Sequence, residues 1–251
     1  TQDDGVNVAP NYGATSNGVQ SSTMRNYGDD ARSEVIVDKQ GNILVASVTQ
    51  SLDFPITAGA FQPIGGAAAN GRFQDAVLIK LNNNLSAVIF SSFLGGNNDD
   101  AAFVLSVNPT NGNIYVAGAT ASTNMPGSTN AAAAFQTNKG QVDGFVSIVN
   151  ATGTQIISTS YFGTSGNDVI YGIQFDKSGM PYITGTTTVG FPVINSPYNT
   201  ADPSQDVGKH FISKLQPDLS SYIFSANFGP STANDPSLSL TAFLVDRCGN
   251  M

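Results

Sequence analysis

Ser91-Ser92-Phe93-Leu94-Gly95-Gly96-Asn97-Asn98-Asp99-Asp100 is the stretch whose reading decides the fold, because weaker copies of it recur along the chain. An apolar strand end, a glycine and an Asn/Asp pair return at Asn26-Tyr27-Gly28-Asp29-Asp30, at Tyr161-Phe162-Gly163 through Asn167-Asp168, and at Asn227-Phe228-Gly229 through Asn234-Asp235. Measured between Gly28, Gly95, Gly163 and Gly229, the spacings are 67, 68 and 66 residues. Self-similarity at a fixed period of this kind marks a repeat architecture.

Outward from that mark, each repeat has four parts. A first strand ends in an acidic or amide residue, as in Glu34–Asp38, Val104–Asn108, Gly172–Asp176 and Ala242–Asp246. A glycine follows at Gly41, Gly112, Gly179 and Gly249, which reads as a tight hairpin whose glycine takes a positive φ. A second strand comes at once, at Ile43–Ala46, Ile114–Ala117 and Pro181–Thr184. A loop of about twenty residues then opens with Phe54-Pro55, Met125-Pro126 or Phe191-Pro192, and two copies carry Ala60-Phe61-Gln62 and Ala134-Phe135-Gln136. These loop aromatics are expected to act as buried plugs, since so long a loop needs apolar pins to stay ordered. Third strands follow at Ala76–Leu81, Gly144–Val149 and Phe211–Leu215, and fourth strands at Ala87–Ser91, Gln155–Thr159 and Tyr222–Ser225.

Four short β-branched and aromatic strands joined in order predict an antiparallel meander. Such a sheet is apolar on both faces, so copies must stack face to face, which is the logic of a β-propeller blade. The predicted fold is therefore all-β: a propeller of four-stranded blades at about 26–92, 93–160 and 161–226, with the start of a fourth at 227–251. Residues 1–25 read as a polar lead-in that supplies at most one edge strand. Ring closure takes at least four blades, so the chain is expected to be part of a larger propeller, with other blades of a longer polypeptide as its first partners.

Composition narrows the function. Charged residues are only 11% of the 251, about half the usual share, and the net charge is −8. An acidic chain lacks the basic face that nucleic acid or an anionic membrane requires. There is no run of 18 apolar residues, so no direct membrane insertion by a helix is expected. The single cysteine, Cys248, cannot form an internal disulfide and reads as an inert residue in a hairpin turn.

The recurring acidic residues are the candidate site: Asp29, Asp30, Asp99, Asp100, Asp168 and Asp235, each placed in the loop between one blade and the next. Hard oxygen ligands on loops suit Ca²⁺, which takes 6–8 oxygens. Against that, the spacing lacks the Asp-x-Asp-x-Asp-Gly loop, and short acidic side chains also fasten turn backbones, the preferred reading here. No cofactor is otherwise implied. Catalysis finds little support, because His210 is the only histidine and reads as a solvated or hydrogen-bonded residue at a strand start. Paired carboxylates suit glycoside hydrolysis, but with no tryptophan in the chain a sugar platform would rest on its eight tyrosines. The sequons Asn84-Leu85-Ser86 and Asn150-Ala151-Thr152 fall in turns, whose chemistry accounts for them.

Over residues 26–251 the chain resembles the SBBP-type β-propeller repeats. The residues that carry the resemblance are Phe93-Leu94-Gly95-Gly96 with Asp99-Asp100, Asp38 through Gly41-Asn42-Ile43, Asp53-Phe54-Pro55 with Gly59–Gln62, and Asp75-Ala76-Val77 through Lys80-Leu81-Asn82. The closing Ala242–Asn250 looks like a variant found in large surface proteins of gliding, Bacteroidota-type bacteria. The resemblance implies secretion by the type 9 route, a cell-surface location and contacts with surface or secretion-complex proteins. It leads to a non-catalytic scaffold or adhesion module as the expected function, with a glycan-binding or polysaccharide-hydrolysing propeller as the alternative. The third repeat departs from the pattern, having Lys209-His210 where the others have Asp75-Ala76 and Asp143-Gly144.

Overall fold

The computed structural model describes residues 33–51, 53–66, 74–129, 135, 137–188, 190–196, 209–229, 242–246 and 249–251. Asp29, Asp30, Asp235, Cys248 and the lead-in 1–25 lie outside them. Among the described residues the strands are β1 Glu34–Val37, β2 Ile43–Thr49, β3 Asp75–Leu81 and β4 Val88–Leu94; β5 Asp100–Val107, β6 Ile114–Thr120, β7 Asp143–Val149 and β8 Ile156–Phe162; and β9 Asp168–Phe175, β10 Pro181–Thr187, β11 His210–Leu215 and β12 Tyr222–Phe228. They form three four-stranded sheets, each an antiparallel meander in sequence order. The expected repeating unit is therefore present three times.

The hairpin between the first two strands is built as its residues predict. Asp38 Oδ1 accepts the amide N–H groups of Gln40 and Asn42 at 2.9 and 2.8 Å, and Gly41 takes φ 83°. Asp176 receives Ser178 and Met180 in the same way around Gly179, and Asp246 receives Asn250 around Gly249. A lysine on the third strand completes the joint, Lys80 to Asp38 at 2.8 Å and Lys214 to Asp176 at 2.9 Å. Burial opposes the charge on Asp38, but Lys80 and the donors of Asn42 outweigh it and hold the carboxyl at about 2.

Strand ends differ from the sequence reading. The fourth strands run on to Leu94, Phe162 and Phe228, and the first strands of the later sheets begin at Asp100 and Asp168, so these two aspartates open strands instead of lying in loops. The reason is pairing across the sheet, Asp100 opposite Thr120 and Asp168 opposite Thr187, which extends the ladder past the apolar run. The register of β5 with β6 shifts between Ala102 and Val104, and Phe103 there stacks on Tyr171 of β9 with centroids 5.7 Å apart.

Each long loop returns along the outer edge of its own sheet. Thr57 donates to the Ser91 carbonyl and Phe93 to that of Gln62; Thr159 and Tyr161 donate to Gly127 and Phe135; Ile194 and Ser225 exchange a pair of bonds. The outer edge strand is thus covered at these points instead of being left as a template for foreign strands. The aromatic pins work as plugs: Phe135 packs on Phe162 and Tyr222 at 5.4 and 5.2 Å, Phe191 stacks on Phe211 at 3.8 Å, and Met125 is buried.

Stacking uses the two faces of each sheet in a fixed order. Leu44, Ala46, Leu78 and Leu94 of the first sheet meet Leu105, Ile114, Val116 and Phe145 of the second. The opposite face of the second sheet, with Tyr115, Ala117, Val146 and Phe162, meets Ile170, Ile173, Ile183 and Phe211 of the third. One face of the first sheet and one of the third have no neighbouring sheet among the described residues. Val35 and Val37 are exposed on the former, and Ile212, Phe224 and Phe228 on the latter line an open apolar cavity of about 550 Å³.

Candidate functional site

The junctions between sheets concentrate the acidic groups. At the first, Asp75 opens β3 and Asp100 opens β5 of the next sheet, and the two carboxyls flank Gly95. A Cβ on Gly95 would overlap the Asp75 carboxyl and lie 3.0 Å from Asp100 Oδ2. Neither Gly95 nor Gly96 has a positive φ; their small size is needed for close approach, not for turn geometry. Asp75 and Asp100 are 1% and 0% exposed.

Their partners differ. Asp100 accepts the Gly96 N–H at 2.6 Å, the Ser122 hydroxyl at 2.8 Å and the Thr120 hydroxyl. Asp75 accepts one amide N–H, from Gly66 at 2.6 Å on Oδ2, while its buried Oδ1 has no hydrogen-bond partner. Burial raises Asp75 to about 8, with the charge of Asp100 adding to it. Burial also raises Asp100, to about 7, against the pull of its three donors.

The second junction repeats the arrangement. Asp143 opens β7 and Asp168 opens β9, with Gly163 pressed against the Asp143 carboxyl. Asp143 accepts the N–H groups of Lys139 and Gly140 at 2.7 and 3.2 Å; Asp168 accepts the N–H and hydroxyl of Thr164 at 2.6 and 2.9 Å. Burial raises Asp143 to about 6 and raises Asp168 as well. In the third sheet Lys209 stands where the other two have an aspartate, and its Nζ donates to the Thr188 carbonyl at 2.6 Å.

Of the predicted residues, Asp100 and Asp168 accept hydrogen bonds from the turns that precede their strands, while Asp99 lies in the turn before β5 with its carbonyl accepting Ala121 N–H at 2.9 Å. Among the described residues no three His, Cys, Asp or Glu side chains come together to hold a metal. The residues that sequence reasoning missed are Asp75 and Asp143. Their signal was the aspartate recurring just before the third strand and replaced by lysine in the third repeat.

Of the two settings expected for His210, solvated or hydrogen-bonded, its burial excludes the first. It is fully buried against Phe228, ring centroids 5.5 Å apart, and burial lowers its pKa, so it is held neutral in the packing. The first strands of the sheets converge on a separate cavity of about 230 Å³, lined by Glu34, Phe103, Tyr171 and Phe243 among others. Glu34 there accepts the Leu105 N–H at 2.5 Å, tying the first sheet to the second. The sequon turns are self-contained, with Asn82 accepting Ser86 and Ala87 amides and Asn150 accepting those of Thr154 and Gln155.

Comparison of the sequence with protein-family models and with curated proteins finds no match.

Proposed function

We propose that the chain is a non-catalytic segment of a β-propeller, acting as scaffold or adhesion module in a secreted, cell-surface protein. The observation that carries this reading is the stacking of the middle sheet on both its faces against sheets of the same repeat. Positions buried at the inner junctions are left open at the two ends, as with Val35 against Leu105, so further sheets of the same repeat are the natural neighbours. Surface and secretion-complex proteins are the partners that the resemblance to SBBP-type repeats suggests, and the location follows from it.

Chemistry argues in the same direction. The carboxylates that pair across junctions lie behind packed strands at 0–1% exposure, which gives a sugar or water nucleophile no approach. The glycan reading gains no specific support from them. A glycan array and a polysaccharide-hydrolysis screen on the purified chain test the proposal. Neither turnover nor specific glycan capture is expected, and hydrolysis of any polysaccharide sinks the reading.

A further inference from the structure

Two carboxyls from neighbouring sheets, both buried, face each other across Gly95. Among the described residues no ion pair reaches either one. Among the described residues the titratable groups facing the pair are Asp99, from the turn before β5, and the Tyr161 hydroxyl, from β8, and neither brings positive charge. Like charges at such a site resist joint ionisation, because the interior offers little dielectric screening.

We infer that the Asp75–Asp100 pair holds a single proton, and that this proton clamps the first sheet to the second. Its place follows from the donors. Asp100, with three hydrogen bonds directed at it, is the anion; Asp75, with one donor on Oδ2 and a bare Oδ1, is the acid. When the proton leaves to solvent, two buried anions remain on opposite sides of the junction and push the sheets apart. Burial raises both groups, Asp75 to about 8 and Asp100 to about 7, so the last proton to leave the pair sits on Asp75, and the two values belong to the pair as a unit.

The device is graded along the chain. At the second junction Asp143 has two amide donors and the positive charge of Lys139 nearby, so its proton is held less tightly. In the third sheet Lys209 removes the acid from that position altogether. The clamp is therefore strongest between the first two sheets.

Linkage sets the sign of the test. A carboxyl whose folded pKa is raised holds its proton in the folded state after the unfolded chain has released it, so stability falls as pH rises from about 4 to about 8. For each proton so held, the unfolding constant rises about tenfold per pH unit in that window. Urea unfolding of the full chain across that range is expected to show this dependence. Asp75→Asn should remove about one proton of it and be more stable than the wild type near pH 8, while Asp218→Asn, on an exposed turn, should leave it unchanged. An unaltered pH dependence in folded Asp75→Asn overturns the proposal. Should that variant fail to fold, the infrared carbonyl band of a protonated carboxyl in the wild-type chain decides. Its presence at neutral pH and loss under alkaline conditions supports the proton, and its absence at neutral pH refutes it. Calcium that raises the melting temperature of the wild type but not of Asp75→Asn would assign the pair to a cation and equally refute it.

Discussion

Val35, Leu105 and Ile173 occupy the same place in their sheets, three residues before the hairpin residues Asp38, Asn108 and Asp176. Leu105 and Ile173 are 1% and 2% exposed, whereas Val35 is 62% exposed. The opposite face shows the same contrast: Leu78 and Val146 are fully buried, while Ile212, paired to the second strand in the same register, borders an open cavity. Local sequence is nearly equivalent at these positions, so the difference belongs to the neighbour. A sheet of this repeat is finished only when a second sheet lies on each face, and the middle sheet alone meets that condition among the described residues.

The contrast can be broken most forcefully at the middle sheet. Leu105→Ala should destabilise the chain by about 2–5 kcal/mol, through lost transfer energy and an unfilled cavity, measured by urea denaturation. A value near zero would mean that the stacked core between the first two sheets does not hold the fold. Gly95→Ala comes next, at about 1–3 kcal/mol, because the added methyl must displace the Asp75 carboxyl in a closed junction. Wild-type stability in that variant would show that the junction is looser than its packing implies.

The hairpin joints respond to acid. Asp38 has a folded pKa near 2, below its unfolded value, so its contribution is present above about pH 4 and lost as pH falls toward 2. Replacing Lys80 with Met should shrink the difference in melting temperature between mildly and strongly acidic solution. An undiminished difference would remove the Lys80 ion pair as its cause. This titration runs opposite to that of the junction carboxylates, so stability is expected to peak between the two. The smallest effect is expected at Val35→Ala, within about 0.5 kcal/mol of wild type by the same denaturation experiment. A cost matching that of Leu105→Ala would show that this face is already covered in solution.

Much of the architecture was legible beforehand because it rests on local chemistry. The Asp38, Asp176 and Asp246 turns and the positive-φ glycines are each decided within a few residues, and they recur with the period. Less was legible where partners are distant in the chain. Gly95 marks the repeat in the sequence, yet its constraint is Asp75, twenty residues earlier and on another strand. The covering of β4, β8 and β12 by their returning loops likewise joins segments some thirty residues apart.

By itself, then, the sequence determined the unit: four alternating strands, their order, and the hairpins that join them, since each follows from backbone preference and side-chain period over short spans. Only the tertiary structure decided which acidic residues matter and in what state. The Asp75–Asp100 pair exists because stacking brings the start of one sheet's third strand against the start of the next sheet's first strand and excludes water from both. Charge is cheap on a solvated turn and costly between packed sheets, and that difference in solvation cannot be read from spacing.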